Sequence, residues 1–423
     1  MRDTLAAQEG ATSAPTARFH EKREAVLNAA AALFNERGVK GTTLSDIAAS
    51  VGLATNSVTY YYRKKEDLAC ECFLRSIAAM DAIVVQAAKA ETVAARVQRF
   101  FMLYAQAEAA VDSQQQPALA YFNDIRALPS PQSDDVFAAY SEMFRRIRSL
   151  LKGPPTAQLA REDLNARGHI VLSVALAMRM WFTRHEPAQY TRVAARVADV
   201  LLFGMQATHS SWPAQAQMHA WPLGASAEGP MDAFLRAATF LVNEQGYRGA
   251  SVDKISARLN VTKGSFYHHN DNKQDLIAAC FDRSFKVLRE ALGHAESSPG
   301  TGWQRVCAAA CALLRYQLSE SGPLLRSSAT SALPDEVQRK GVRRTMNQLT
   351  ERLGGVIVEG LMDGSVRPLD PAIAAQCAIG AINAAAELHH WLPGVQTGRV
   401  IELYLRPVFE GVLCPPASSS VNA

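Results

Sequence analysis

Thr262-Lys263-Gly264-Ser265, followed by Tyr267-His268 and then Lys273, is a run in which nearly every residue can address a phosphodiester or a base edge. A lysine brings charge to a phosphate or a guanine edge, and a glycine lets the backbone come close to a strand. A tyrosine hydroxyl and a lysine at the start of the next helix both reach phosphate, and His268 donates to base or phosphate. A second set stands earlier in the chain: Thr43, then Thr55, Asn56, Ser57, Thr59, Tyr60, Tyr61 and Lys65. Asn56 carries the amide that reads adenine through two hydrogen bonds. Arg63-Lys64-Lys65 adds a basic edge of the kind that supplies the salt-dependent part of binding. Both sets offer the chemistry of nucleic-acid contact.

Helices must present these side chains. Thr43 is a good N-cap, and Leu44, Ile47 and Ala48 fall on one face behind it. The pattern breaks at Val51-Gly52-Leu53, and a second short helix begins near Ala54. The turn needs a residue that tolerates positive φ, which Gly52 supplies and Asn260 matches in the later copy. Asp46 to Tyr61 therefore reads as helix, tight turn, helix, the shape that lays a second helix into a DNA major groove. In the later copy Ser251 caps the first helix, Ile255 and Leu259 hold it, and Thr262 caps the second. Ahead of each motif runs one apolar stripe: Val26, Leu27, Ala30, Leu33 and Phe34, and again Phe234, Leu235, Ala238, Leu241 and Val242. Gly38 and Gly246 end these helices in the manner of C-terminal glycines.

The copies belong to a repeat that covers the chain. Residues 22–73 align with 230–281 without a gap, and Leu27, Ala30, Leu33, Asn35, Glu36, Gly41, Ile47, Ser57, Lys65, Asp67, Leu68, Cys72 and Phe73 all find the same residue in the second copy. Further on, Leu128-Pro129 matches Leu333-Pro334 and Pro187 matches Pro393. Two homologous halves in series follow from this. The expected division is an arm over 1–18, a first DNA-binding domain over 19–73, and a first helical body over 74–207. A linker over 208–229 precedes a second DNA-binding domain over 230–281, a second body over 282–414 and a tail over 415–423. Period-two alternation is almost absent, so the fold class is all-α.

The second half's Leu259-Asn260-Val261-Thr262-Lys263-Gly264-Ser265-Phe266-Tyr267-His268-His269, with Lys273-Gln274-Asp275-Leu276, resembles the signature of the tetracycline-repressor (TetR) family of bacterial one-component regulators. So does the first half's Val51-Gly52-Leu53-Ala54-Thr55-Asn56-Ser57-Val58-Thr59-Tyr60-Tyr61-Tyr62, with Lys65-Glu66-Asp67-Leu68. Glu359-Gly360, Gly364, Arg367 and Asp370-Pro371 look like the loop before that family's dimerisation helices. The first half departs from the pattern: Thr55-Asn56 replaces Lys-Gly, Thr59 replaces a phosphate-binding tyrosine, and Ala54 lacks a capping oxygen, a loss of about 1 kcal/mol. Either the first head reads a different half-site or it has weakened and holds only backbone.

The resemblance implies a ligand-responsive regulator, a repressor, acting on a double-stranded DNA operator in the cytoplasm and answering to a small apolar effector. Such proteins pair through C-terminal helices. Fusion makes that pairing internal, so one chain acts as a pseudo-dimer. The 192–206 and 399–412 helices, with 170–181 and 372–388, are the expected four-helix seam. Phe100, Phe101, Tyr104, Tyr121, Phe122, Phe144, Met178 and Trp181 are candidates for one effector pocket. Trp303, Tyr316, Met346, His390 and Trp391 are candidates for the other. The competing class is a small-molecule sensor or protein-interaction scaffold whose heads have lost DNA affinity.

Bulk properties agree with an intracellular helical protein. Of 423 residues, 48% are hydrophobic and 20% charged, a globular balance that at this length calls for two or three domains. Net charge is only +4, so any basic face is local. Seven cysteines without paired spacing argue for reduced thiols. The apolar run Ile170–Phe182 is short and carries Arg179, so no membrane span is expected. The adjacent pairs His268-His269 and His389-His390 should point to different helix faces, which makes them poor chelators. With no zinc spacing, phosphate loop or arguable triad, neither metal, cofactor nor enzymatic activity is expected.

Overall fold

The computed structural model describes residues 17–213, 221–224, 229–261, 273–333, 336–392, 394–395 and 397–416. No strand occurs among them; an isolated bridge between Gln206 and Val366 is the only β pairing.

The first half runs α1 (Ala17–Arg37), α2 (Leu44–Ser50), α3 (Thr55–Tyr61), α4 (Lys65–Ala87), α5 (Val93–Asp112), α6 (Gln132–Leu150), α7 (Arg161–Phe182) and α8 (Tyr190–Phe203). The second runs α9 (Pro230–Gly249), α10 (Val252–Leu259), α11 (Lys273–Ser297), α12 (Gly302–Leu318), α13 (Glu336–Met362), α14 (Pro371–Ala384) and α15 (Leu388–Trp391). It ends in α16 (Thr397–Val400), a π turn (Ile401–Leu405) and α17 (Arg406–Glu410). Short 3-10 turns at Phe122–Ala127 and Ser327–Ala332 sit at matching places in the two halves.

The apolar stripes set these elements: Val26, Leu27, Ala30 and Phe34 are buried on α1, and Phe234, Ala238, Leu241 and Val242 on α9. Gly38 (φ 71°) ends the helical path of α1, and Gly246 (φ 69°) kinks α9 at the equivalent point. No disulfide joins the seven cysteines, all of which lie among the described residues, and six of them are buried. Burial pushes the Cys72 and Cys280 thiols up to about 12, so they behave as small hydrophobes.

The halves meet along α7 and α8 of the first and α14 to α17 of the second. Helix α14 packs on both α7 and α8, α7 on the π turn, and α8 on α17. At the centre the two terminal helices end in equivalent glycines. Gly204 (φ 67°) and Gly411 (φ 99°) lie so close that a Cβ on either would strike backbone of the other half at 2.3–2.4 Å. The Met205 N–H donates to the Phe409 carbonyl at 2.7 Å, and the Val412 N–H donates to the Leu201 carbonyl at 2.7 Å.

Two arginines close the helix ends across this seam. Arg167, 2% exposed, donates to the Val412 and Cys414 carbonyls at 2.8 and 2.6 Å. Arg367 donates to the Gly204 carbonyl at 2.8 Å and pairs with Asp199. Each brings positive charge to a C-terminal helix end, where the backbone carbonyls are unsatisfied.

The chain leaving α8 is fastened. Ala207 donates to the Ser365 carbonyl, Trp303 Nε1 donates to the Ser211 carbonyl at 2.9 Å, and Trp212 stacks edge-on to Trp303 and Phe409. The run Pro371–Trp391 is long and apolar enough by composition to cross a membrane, but more than half of it is buried in the fold, against α7, α8 and α13.

Candidate nucleic-acid interface and effector cavity

In the first head Thr43 caps α2. Its hydroxyl accepts from the Asp46 N–H at 3.1 Å while the Asp46 carboxylate takes the Thr43 N–H at 2.8 Å. This reciprocal pair fixes the entry of the helix. Gly52 makes the turn at φ 66°. Helix α3 buries Val58 and turns Thr55, Asn56 and Tyr60 to solvent, Tyr60 being 74% exposed. Ala54 provides no side-chain cap. The Thr59 hydroxyl bonds back to the Asn56 carbonyl at 3.0 Å, so it is already engaged within its own helix. Ser57 is half-buried, Tyr61 packs on Phe19, and Lys65 opens α4.

The second head repeats this frame as far as it is described. The Ser251 hydroxyl accepts from the Lys254 N–H, and Asn260 takes the left-handed conformation at φ 55°. Thr262, Lys263, Gly264, Ser265, Tyr267 and His268 lie outside the described residues, and Lys273 is the first residue of α11.

One polar residue ties each head to its body. The Asn35 amide on α1 donates to the Leu119 carbonyl at 2.8 Å and accepts from the Tyr121 N–H at 2.7 Å. Asn243 on α9 does the same, donating to the Leu324 carbonyl at 2.9 Å and accepting from the Arg326 N–H at 3.1 Å. Each amide satisfies a donor and an acceptor of an otherwise irregular segment. The heads also cross over: α9 rests on the first half's Phe122–Ala127 turn, and α1 touches the second half's Ser327–Ala332 turn.

The model of the tetR family of bacterial regulatory proteins matches this chain twice, over residues 26–72 and 234–280. The chain carries two tetR-type DNA-binding domains in tandem. It is 36% identical over 69 residues to the transposon Tn10 TetC protein of Escherichia coli, a match covering 16% of this chain and 34% of TetC. The chain thus spans about a third of that relative's length. It is 21% identical over 141 residues to the uncharacterized HTH-type transcriptional regulator YhgD of Bacillus subtilis, covering 33% of this chain and 74% of YhgD. Among solved structures, a TetR-family transcriptional regulator from Bordetella parapertussis 12822 matches with a TM-score of 0.38 and 16% identity, over 43% of this chain and 95% of the other.

Beneath the two tetR-type heads a cavity of about 270 Å³ lies between the halves. Its walls are Leu172, Leu176, Ala177 and Trp181 of α7, Phe281, Phe285 and Leu288 of α11, Met346, Leu349 and Thr350 of α13, and Ile379, Gly380 and Asn383 of α14. Tyr121, Phe122, Arg179, Arg326 and Glu387 are among the other residues that line it. Both clamped segments therefore reach the same cavity. In the first half the Arg179 guanidinium lies 4.2 Å from the Tyr121 ring and is held by both oxygens of Glu108. In the second, Arg326 pairs with Glu387 at 2.5 Å.

The expectation of one aromatic-lined pocket in each half needs correction. Phe122, Trp181, Tyr121 and Met346 do line the shared cavity. Phe100, Phe101, Tyr104, Met178, Trp303 and Tyr316 are instead close-packed core. Phe144 packs its ring 4.0 Å from that of Trp391, and neither these two nor His390 lines the cavity. The physical reason is that an aromatic stripe on a helix records burial, and most buried faces meet another side chain rather than a void.

His169, absent from the sequence-based set, lines the cavity and crosses the seam. Its Nδ1 lies 3.2 Å from the Tyr404 hydroxyl, which itself donates to the Ala381 carbonyl at 3.1 Å. Tyr404 thus spends its proton on Ala381, and Nδ1–H is the donor to its oxygen. Burial pushes the imidazole down to about 4, so it is neutral in the folded chain. Unfolded, the same histidine titrates near 6.5. The folded state therefore refuses a proton that the unfolded state accepts, and this contribution is complete above 6.5 and is lost as pH falls towards 4. At pH 4 the wild type is expected to have lost up to about 3 kcal/mol that His169→Gln does not lose. Parallel urea titrations from pH 7 to 4 read the difference; identical pH slopes would mean that His169 is not buried neutral.

Proposed function

We propose that this chain is a DNA-binding transcriptional regulator, a repressor, that works in the bacterial cytoplasm as an internal pseudo-dimer. Its two non-identical heads address the two halves of an imperfect palindrome, and a small, mostly apolar effector occupies the cavity between the halves. The observation that carries this reading is the pair of asparagine clamps: each head's first helix is hydrogen-bonded to a segment that walls one common cavity. An effector that moves Tyr121 or Arg326 changes the seat of a head, and two heads out of register cannot occupy successive grooves. Linkage then requires the effector to bind the DNA-free form more tightly.

Fragments selected from random DNA give the operator, and a salt series on that operator tests the reading. Real phosphate contacts make log affinity fall with log salt by about 0.9 per contact. Lys263→Ala or Lys273→Ala is expected to lower that slope by about one and weaken all sequences alike, while Thr55→Ala relaxes preference in one half-site. A flat salt response on every duplex would support the second reading, a sensor or scaffold with degenerate heads. The uncapped α3 and the Thr59 hydroxyl, spent on the Asn56 carbonyl, favour that reading for the first head alone.

A further inference from the structure

We infer that Glu244, His389 and His390 form a site for a divalent transition-metal ion of the zinc type, stapling the second head to its body. Glu244 stands on α9 beside the clamp residue Asn243, and the two histidines stand on the single-turn helix α15. Contrary to the expectation from their adjacency, both imidazoles turn the same way: their ring centroids are 3.7 Å apart. Nε2 of His389 lies 3.7 Å from one Glu244 oxygen, and Nε2 of His390 lies 3.7 Å from the other. All three donor atoms fall within 4.8 Å of one another.

A tetrahedral ion with bonds of about 2.0–2.2 Å holds its ligands roughly 3.3–3.6 Å apart, so only a small closure separates this arrangement from coordination. Two imidazoles and a carboxylate suit zinc, cobalt or nickel and not calcium or magnesium. The ligand orientation is also supported from behind. His389 Nδ1 is 3.1 Å from the Ala386 carbonyl. A carbonyl only accepts, so Nδ1 carries the proton and the Nε2 lone pair faces Glu244, the outer-sphere bond typical of metal-bound histidine. Both histidines are exposed, which leaves an entry path and a position for water as fourth ligand.

The site is not part of the inherited repeat. Glu36 answers to Glu244, but in the register that matches Pro187 to Pro393 the places of the histidines are taken by Thr183 and Arg184. The staple therefore acts on one head. It joins α9 to the segment directly after Glu387, the partner of Arg326 in the cavity wall.

The test uses the full-length chain stripped with EDTA, and it involves no DNA. Zinc alone is expected to raise the melting temperature, and cobalt(II) to give the visible absorption of a four-coordinate site that saturates at one ion per chain. Glu244→Gln and the double variant His389→Asn/His390→Asn should melt like wild type in EDTA. Both should lose the cobalt spectrum and bind zinc more weakly by over the roughly 10–100-fold that outer-sphere changes cost. Zinc should also slow amide exchange in α9 of the wild type and of neither variant. Zinc binding undiminished in Glu244→Gln, or no four-coordinate cobalt spectrum in wild type, overturns the site. Unchanged exchange in α9 overturns the staple. A Glu244-dependent change of melting temperature with pH but not with metal would mean that a proton is the natural occupant, and would overturn the proposal as well.

Discussion

Gly204→Val is expected to destabilise the protein by about 4 kcal/mol, the largest loss from any single substitution considered for this chain. The positive-φ extended conformation at φ 67° and ψ −162°, open essentially to glycine alone, costs a side chain about 1–3 kcal/mol by itself. The added Cβ would also meet the Phe409 carbonyl oxygen at 2.3 Å and the Glu410 carbonyl carbon at 2.4 Å. Those are backbone atoms, and no rotamer change moves them aside. The halves must separate there, which releases the Met205–Phe409 and Val412–Leu201 hydrogen bonds, each worth about 1 kcal/mol. Gly52→Ala is the control: it shares the positive φ, at 66°, but meets nothing within 4 Å, so only the conformational part remains. Urea unfolding of both variants reads the contrast. A Gly204→Val chain no weaker than Gly52→Ala would mean that the two helix ends do not meet in solution.

Glu108→Gln is expected to cost about 2–4 kcal/mol. Glu108 is 7% exposed and binds the Arg179 guanidinium through both oxygens. Removing the charge leaves a cation that is largely withdrawn from water and faces only a neutral amide oxygen and the Tyr121 ring. Breaking a buried pair in this way costs about 3–5 kcal/mol, and the partial exposure of Arg179 reduces it. Replacing both partners, as in Glu108→Leu with Arg179→Leu, should recover most of the loss, because neither charge is then stranded. Chemical denaturation of Glu108→Leu, Arg179→Leu and the double variant closes the cycle. Additive losses would show that the two residues act separately. Since Tyr121 is the residue whose N–H the Asn35 amide grips, a loosened Arg179 also loosens the seat of the first head.

Local backbone demands were legible in the sequence. Gly52 and Asn260 read as positive-φ turn residues and Gly38 and Gly246 as helix stops, and all four adopt positive φ. The missing cap at Ala54 and the present ones at Thr43 and Ser251 follow from side-chain oxygen alone. The seam helices were found from their apolar stripes, because a strongly periodic face must be covered by something. The close approach of Gly204 to Gly411 was not found, since it depends on where two helices end relative to each other and not on either sequence.

The cavity was misplaced for a related reason: a void is a property of several packed elements, and no stripe on one of them encodes it. Asn35 and Asn243 were visible only as a matched pair in the repeat. A polar residue kept at the inner end of two apolar stripes is the sequence signal for such a hydrogen-bonded joint. The histidine pair was judged by the divergence of neighbours on a regular helix, whereas α15 is a single turn after a 3-10 segment and its side chains are free to converge.

The strapped junction from Ala207 to Trp212 bears on heredity as much as on folding. Under the internal pairing proposed above, both lobes come from a single reading frame, and a mutant allele would not exchange a lobe with its wild-type neighbour, nor with a related regulator in the same cell. Poisoned mixed assemblies, a hazard of regulators that pair as separate chains, would thereby be avoided. Each codon change would also enter the proposed one-chain particle once instead of twice. One proposed operator arm, or one wall of the cavity, could then drift while its counterpart stays as it was.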